Sequence, residues 1–207
     1  MGITINAADG YNVTQFGVLH PGDIKYADID GDGNIDNDDL VEIGNPVYPT
    51  TTFGLNGNVS YKGFTLSAFF QGSANSDINI RTFLTSPFDN NASNTSYEYY
   101  NNRWTPENQG AKYPRATPSP LSNNTQASSF WMVSTSYLRL KTVVLGYAIP
   151  QNICNALRMQ SIGLNITGQN LLTFSDLDFI DPELGYTDRE NAYPVMKSIS
   201  FGINVSF

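Results

Sequence analysis

Apolar and polar residues alternate with a period of two in five stretches of the chain. In 53–61, Phe53, Leu55, Val59 and Tyr61 share one face, against Gly54, Asn56, Asn58 and Ser60. In 64–71, Phe64, Leu66, Ala68 and Phe70 oppose Thr65, Ser67 and Gln71, and Phe69 breaks the rule. In 137–148 the alternation is looser, with Leu138, Leu140 and Val144 set against Arg139, Lys141 and Val143. In 161–170, Ile162, Leu164 and Ile166 oppose Ser161, Gly163, Asn165, Thr167 and Gln169. The cleanest stretch is 195–207, where Ile199, Phe201, Ile203, Val205 and Phe207 alternate with Ser198, Ser200, Gly202, Asn204 and Ser206. A period of two is that of a strand, so an all-β, antiparallel fold is predicted. Helical spacing is confined to one or two turns at 38–43 and 151–157. The long polar stretch 90–129 reads as a loop with a short helix around 97–104.

The polar faces use Ser, Asn, Gly, Thr and Gln with few charges. A water-facing sheet normally carries Lys and Glu there. Small neutral polar residues behind an aliphatic and aromatic face describe a transmembrane barrel strand, lumen side against lipid side. The alternative is a soluble β-sandwich with an uncharged surface. Connection lengths favour the barrel. Lys62-Gly63 makes a two-residue turn, about 73–136 is long, about 149–160 short and 171–194 longer. Outer-membrane barrels alternate short periplasmic turns with long extracellular loops in this way. About five to six strands make only a partial barrel, because closure takes at least eight and lipid tolerates no open edge. A fragment is therefore expected, in keeping with an N-terminus that has neither the basic nor the apolar region of a signal peptide.

Charge changes the picture in one place. The 207 residues carry 11 Lys+Arg and 19 Asp+Glu, a net charge of −8, and charged residues are only 14%. Ordinary soluble domains have roughly 25%. Such a chain offers no basic patch for nucleic acid, and its many aromatic residues exclude disorder. One Cys (Cys154) and one His (His20) exclude a disulfide framework, Cys-rich metal sites and most His-based chemistry. Six of the 19 acids lie in 28–39, a stretch without a base, so this one segment supplies most of the net charge.

That segment matches a calcium loop of EF-hand type. Asp28, Asp30 and Asp32 stand at positions 1, 3 and 5, and Gly33 at 6 allows the sharp turn. Asn34 at 7 offers its carbonyl, Asp36 at 9 acts through water, and Asp39 stands at 12 in place of Glu. The shorter Asp arm makes bidentate closure harder and predicts weaker binding. A structural Ca2+ is expected. An ion-free acidic loop is the alternative, and 22–26 ahead of it looks like strand or coil, not helix.

No catalytic residue is expected. Asp176, Asp178, Asp181 and Glu183 fall in a Pro-containing loop with nothing in the sequence to hold a pair at a fixed separation, and a solvated loop is expected. His20 reads as a surface residue and Cys154 as a small packed one. Trp104, Tyr113 and Trp131 are candidates for stacking on a sugar, with loop packing as the alternative. A soluble, secreted, calcium-stabilised β-module that binds carbohydrate is the competing reading of the whole.

The run Pro21-Gly22-Asp23-Ile24-Lys25-Tyr26-Ala27-Asp28, continued by Gly33-Asn34-Ile35-Asp36 and Ile43-Gly44-Asn45-Pro46, resembles the C-terminal part of SusC/RagA-type TonB-linked outer-membrane proteins. So do Tyr61-Lys62-Gly63-Phe64, Phe70-Gln71-Gly72 and Asn102-Arg103-Trp104-Thr105-Pro106-Glu107-Asn108 with Tyr113-Pro114-Arg115. Further along come Ser136-Tyr137-Leu138-Arg139-Leu140-Lys141, Leu145-Gly146-Tyr147, Pro150, Gly168-Gln169-Asn170-Leu171, Asp181-Pro182-Glu183 and a terminal Phe207. The resemblance implies a TonB-dependent receptor β-barrel with an N-terminal plug, in the outer membrane of a Bacteroidetes-like Gram-negative cell. It implies import of glycans or peptides, a SusD-like surface lipoprotein as lid, and TonB engaged only through an N-terminal part outside this chain. Residues 1–20 then form a leader or the end of a preceding strand or loop, 21–50 form an extracellular loop with the acidic segment, and 51–207 supply C-terminal barrel strands and loops.

Overall fold

The computed structural model describes residues 3–4, 15–80, 94–118, 121–177, 179–184, 193 and 195–207. Asp178 and most of 1–20 lie outside them. Two compact units result, one from Met1–Asn45 with Asp77–Val133, the other from Pro46–Ser76 with Ser134–Phe207. The long connection thus belongs with the N-terminal segment and not with the strands it joins.

The second unit is a five-stranded antiparallel sheet. Its strands are β3 (Thr51–Tyr61), β4 (Phe64–Ala74), β7 (Tyr137–Ala148), β8 (Ser161–Ser175) and β9 (Ser198–Ser206), paired in that order. All five alternating stretches are strands. At the β3–β4 turn Lys62 and Gly63 have φ 47° and 88°, the left-handed pair of a type I′ hairpin whose twist suits the flanking strands. That turn and the β7–β8 connection, which contains the helix Gln151–Ala156, leave one end of the sheet. Both long connections leave the sheet from its other end, where β3 also begins, so the alternation of short and long holds throughout.

Directly paired residues share a face. One face carries the rows Leu55, Phe70, Leu140, Leu172, then Val59, Leu66, Leu145, Ile166, Phe201, then Tyr61, Phe64, Tyr147, Leu164, Ile203. The opposite face carries Asn58, Ser67, Val144, Thr167, Ser200 and Ser60, Thr65, Gly146, Asn165, Gly202. The apolar face is open: Phe201 is 79% and Leu55 65% exposed.

The sheet corrects one detail of the pattern. Register skips Lys141 in both ladders: Phe69 pairs with Thr142 but Phe70 with Leu140, and Leu172 pairs with Leu140 but Gln169 with Thr142. This bulge, matched in β8 by Asn170 at φ 52°, resets the alternation. Val143 therefore lies on the apolar face and Val144 on the polar one, the reverse of the simple reading. The imperfect period of 137–148 is the bulge itself.

The first unit has little regular structure. It pairs β1 (Ile3–Thr4) with β2 (Ile24–Lys25), and β5 (Asp77–Asn79) with β6 (Met132–Ser134). It also holds the helix Tyr97–Asn102, opened by Ser96, whose Oγ accepts from the Tyr99 N–H at 3.1 Å. The helix expected at 38–43 is only a 3-10 turn, Asn37–Asp39. No helix among the described residues is long and apolar enough to cross a membrane.

Candidate functional site

The acidic loop is ordered by its own side chains. Asp28 accepts from the N–H groups of Gly31 (2.6 Å) and Gly33 (2.9 Å), two residues at φ 80° and 88°. Asp32 accepts from Asn34 N–H at 2.7 Å, and Asp36 caps the 3-10 turn through Asp38 N–H at 2.9 Å. Asp39 reaches back across the loop to the N–H groups of Ile29 (2.5 Å) and Asp36 (2.9 Å). Oxygens of Asp28, Asp30 and Asp32 lie within 4.8 Å of one another, the only such group of potential metal ligands among the described residues. Several carboxylate oxygens at that spacing are the donor set of a hard dication. Asp30 accepts the Asp32 N–H, which favours its charged form, yet desolvation and the charges of Asp32, Asp39 and Asp28 together raise its pKa. Asp39 is held below the ordinary carboxylate range by the N–H groups of Asp36 and Ile29. A cation would relieve the repulsion at Asp30.

Behind the loop lies a buried polar staple. The Asp23 carboxylate, fully buried, accepts Arg115 Nε at 2.8 Å and Nη2 at 3.2 Å, Asn124 Nδ2 at 2.8 Å and the His20 N–H at 2.9 Å. Asn124 Oδ1 in turn accepts the Ile24 N–H at 2.9 Å. Burial of a charge is tolerable because every lone pair is used. Next to it, Trp104 covers Gly22, where an added Cβ would come within 2.5 Å of the indole ring at φ 88°.

The three aromatic candidates are not gathered around an opening. Tyr113 stacks between Tyr99 (5.7 Å) and Trp131 (6.3 Å), and Phe130 meets Trp131 edge to face. Trp131 is fully buried and its Nε1 donates to Asn124 O at 2.9 Å. Burial raises the Tyr99 hydroxyl's pKa, and that hydroxyl donates to Pro114 O at 2.9 Å. Tyr113 and Trp131 are core residues of the first unit and present no ring face to a sugar. Their clustering with aromatic neighbours is loop packing. Tyr97 and Tyr100 are the exposed rings on the same helix.

Sequence reasoning missed a charged cluster on the polar face of the sheet. Arg139, buried on β7, pairs through Nη2 with both oxygens of Asp181 at 2.8 Å, through Nη1 with Glu183, and through Nε with Thr173 Oγ1 at 2.9 Å. Lys141 Nζ reaches both Glu183 oxygens at 2.7 and 2.8 Å, and Gln71 Nε2 donates to the same carboxylate at 3.2 Å. The loop acids Asp181 and Glu183 are thus ion-paired, not solvated. Their signal was the Arg-x-Lys step on a strand otherwise poor in charge. His20 is exposed and Cys154 buried, as expected.

No protein-family model matches the chain. Curated proteins of Formosa agariphila do, two of them at more than 30% identity. TonB-dependent receptor P26 is 34% identical over 200 residues, taking in 90% of this chain and 20% of that protein. TonB-dependent receptor P3 is 32% identical over 206 residues, 94% of this chain and 20% of the receptor. Among solved structures, the RagAB peptide transporter superposes at TM-score 0.60 with 28% identity, over 78% of this chain and 17% of that one. The RagAB peptide importer in the open-open state shares the fold at TM-score 0.62 and 23% identity, over 90% of this chain and 21% of its own. The chain spans about a fifth of the length of these relatives. Over nine-tenths of its length in sequence this chain is a homologue of one segment of TonB-dependent receptors, and over 78% of it the fold is that of the RagAB transporter.

Proposed function

We propose that this chain forms adjacent strands in the wall of a TonB-dependent outer-membrane importer of glycans or peptides. It acts there as wall and loops, not as an enzyme. The observation that carries the reading is the two-faced sheet, with an open apolar face and a small, mostly neutral polar one. The apolar rows run from Phe53 to Tyr61 along β3, about 27 Å of strand at ~3.4 Å per residue. At the ~40° tilt of such barrels this is on the order of 20 Å of height, close to the apolar band of an outer-membrane wall. Tyr61, Phe64 and Tyr147 fall together at the short-turn end, where an interfacial aromatic belt belongs. The apolar face then meets lipid, the polar face the lumen, and β3 and β9 pair with strands outside this chain. In this arrangement the long connections are extracellular, within reach of a SusD-like lipoprotein.

The acidic loop is proposed to hold a structural Ca2+ through Asp28, Asp30 and Asp32, with Asn34 and Asp36 completing the shell and Asp39 bracing the loop through its backbone bonds. Calcium is expected to raise the thermal stability of the first unit, and the double change Asp28→Ala with Asp32→Ala is expected to abolish that rise. Absence of any calcium effect in the unaltered chain would overturn the site.

For the wall itself, the chain produced alone is expected to need detergent or to form inclusion bodies, because among the described residues nothing covers its apolar face or pairs with its two sheet edges. A cooperative monomer soluble without detergent would overturn the reading.

A further inference from the structure

We infer that residues 179–184 form an electrostatic strap across the polar face of the sheet, latched by Arg139 and Lys141. The inference rests on the barrel-wall reading, which makes that face the lumen. The strap leaves the end of β8 and returns over the strands, where its two carboxylates meet groups from two of them. Both oxygens of Asp181 accept from the single Arg139 Nη2 at 2.8 Å. Glu183 is shared among Arg139, Lys141 and Gln71. Within the strap the Glu183 N–H donates to Asp181 Oδ1 at 2.9 Å and the Leu184 N–H to Asp181 O at 3.2 Å, so the carboxylates are held at a fixed spacing.

Two cations and two carboxylates balance. The Arg139 side chain is only 3% exposed, and the strap supplies both of its carboxylate partners, beside Thr173 and the Tyr137 ring. With the carboxylates gone, Arg139 can be hydrated only if the strap lifts and admits water. The bulge at Lys141 keeps Arg139 and Lys141 on the polar side while the strand below them changes phase, so the latch stands where the ladder is locally irregular. The device therefore has two states. Closed, it occupies part of the lumen along this wall. Lifted, it widens the passage and exposes two cations to whatever is carried.

The test uses the complete receptor that carries this chain, purified in detergent, and compares amide hydrogen exchange in 179–184 with that in 142–147. The double change Asp181→Asn with Glu183→Gln keeps side-chain size and removes both charges. Exchange in 179–184 is expected to rise at least tenfold, while 142–147 stays protected. Lys141→Gln, which leaves the Arg139–Asp181 pair, is expected to give a smaller rise. Unchanged exchange of 179–184 in the double variant, with 142–147 protected, would overturn the strap alone. Unprotected 142–147 amides in the unaltered receptor would overturn the wall reading and the strap with it. As a second readout, Leu184→Cys is expected to react at least tenfold faster with a membrane-impermeant maleimide once the two acids are neutralised, and equal rates count against the latch.

Discussion

The two units spend the same kinds of residue in opposite ways. In the first, Trp131, Tyr99 and Tyr113 are stacked on one another and hidden, and the buried Asp23 has all its partners. In the sheet, Phe201, Ile203 and Phe174 stand open on one face while Ser, Asn and Thr line the other. Apolar surface leaves water wherever an apolar environment is offered. The first unit makes that environment from its own loops, and in the proposed wall the sheet takes it from lipid. An exposed aromatic on a strand here is a statement about the solvent for which the face is built, not a packing defect.

The largest expected effect tests the first half of that contrast. Trp131→Ala should cost about 3–5 kcal/mol of unit stability, read as a shift in denaturant midpoint with the near-ultraviolet dichroism of the stacked rings. A loss below about 1 kcal/mol would mean the rings are not a core. The second half is tested by a charge on each face of the same pair of strands. Leu145→Arg should cost about 2–4 kcal/mol in a bilayer if it sits near the midplane, and Ser67→Arg on the lumen side much less. Equal costs for the two, measured by unfolding from lipid vesicles, would erase the distinction between the faces. The smallest effect separates exposed charge from buried charge. Glu98 loses hydration, but Lys112 (2.9 Å), Tyr113 (3.0 Å) and Asn102 outweigh that loss and lower its pKa. A carboxyl held below its unfolded value adds stability above the ordinary Glu range, and the gain disappears as the pH falls through the lowered value. Because Lys112 is half exposed, Lys112→Ala should cost only about 0.5 kcal/mol, and less at high salt. A cost above about 2 kcal/mol would show that the pair is shielded.

The strands were readable because a half-buried strand repeats every two residues and each residue's side follows from its own position. The reading failed where that rule is suspended. Val143 and Val144 change places at a bulge that exists only because Lys141 has no partner in either ladder. The stretch 38–43 suggested a helical turn, but Leu40 and Ile43 lie exposed beyond a 3-10 turn that ends at Asp39. The acidic loop was visible as a string of ligand positions, whereas its bracing by Asp39 through the N–H groups of Ile29 and Asp36 was not. Tyr113 and Trp131 were readable as aromatic and loop-borne, and their burial was not, because it depends on stacking between residues 14 and 18 positions apart in the chain.

By itself the sequence determined the local facts: five strands with one apolar face each, a two-residue hairpin, an acidic loop with a turn-forming glycine, and a chain too poor in charge for an ordinary soluble sheet. These depend on neighbours one to twelve positions away. Tertiary structure decided which residues meet across long separations. It brought Asp23 to Arg115 across 92 positions and Asp181 to Arg139 across 42, and it turned two loop acids into the closure of a charged cluster. The physical reason is that the period of a strand is written into its own backbone geometry. The partner of a buried charge is set only by the need to satisfy it, and any segment that the fold brings near can meet that need.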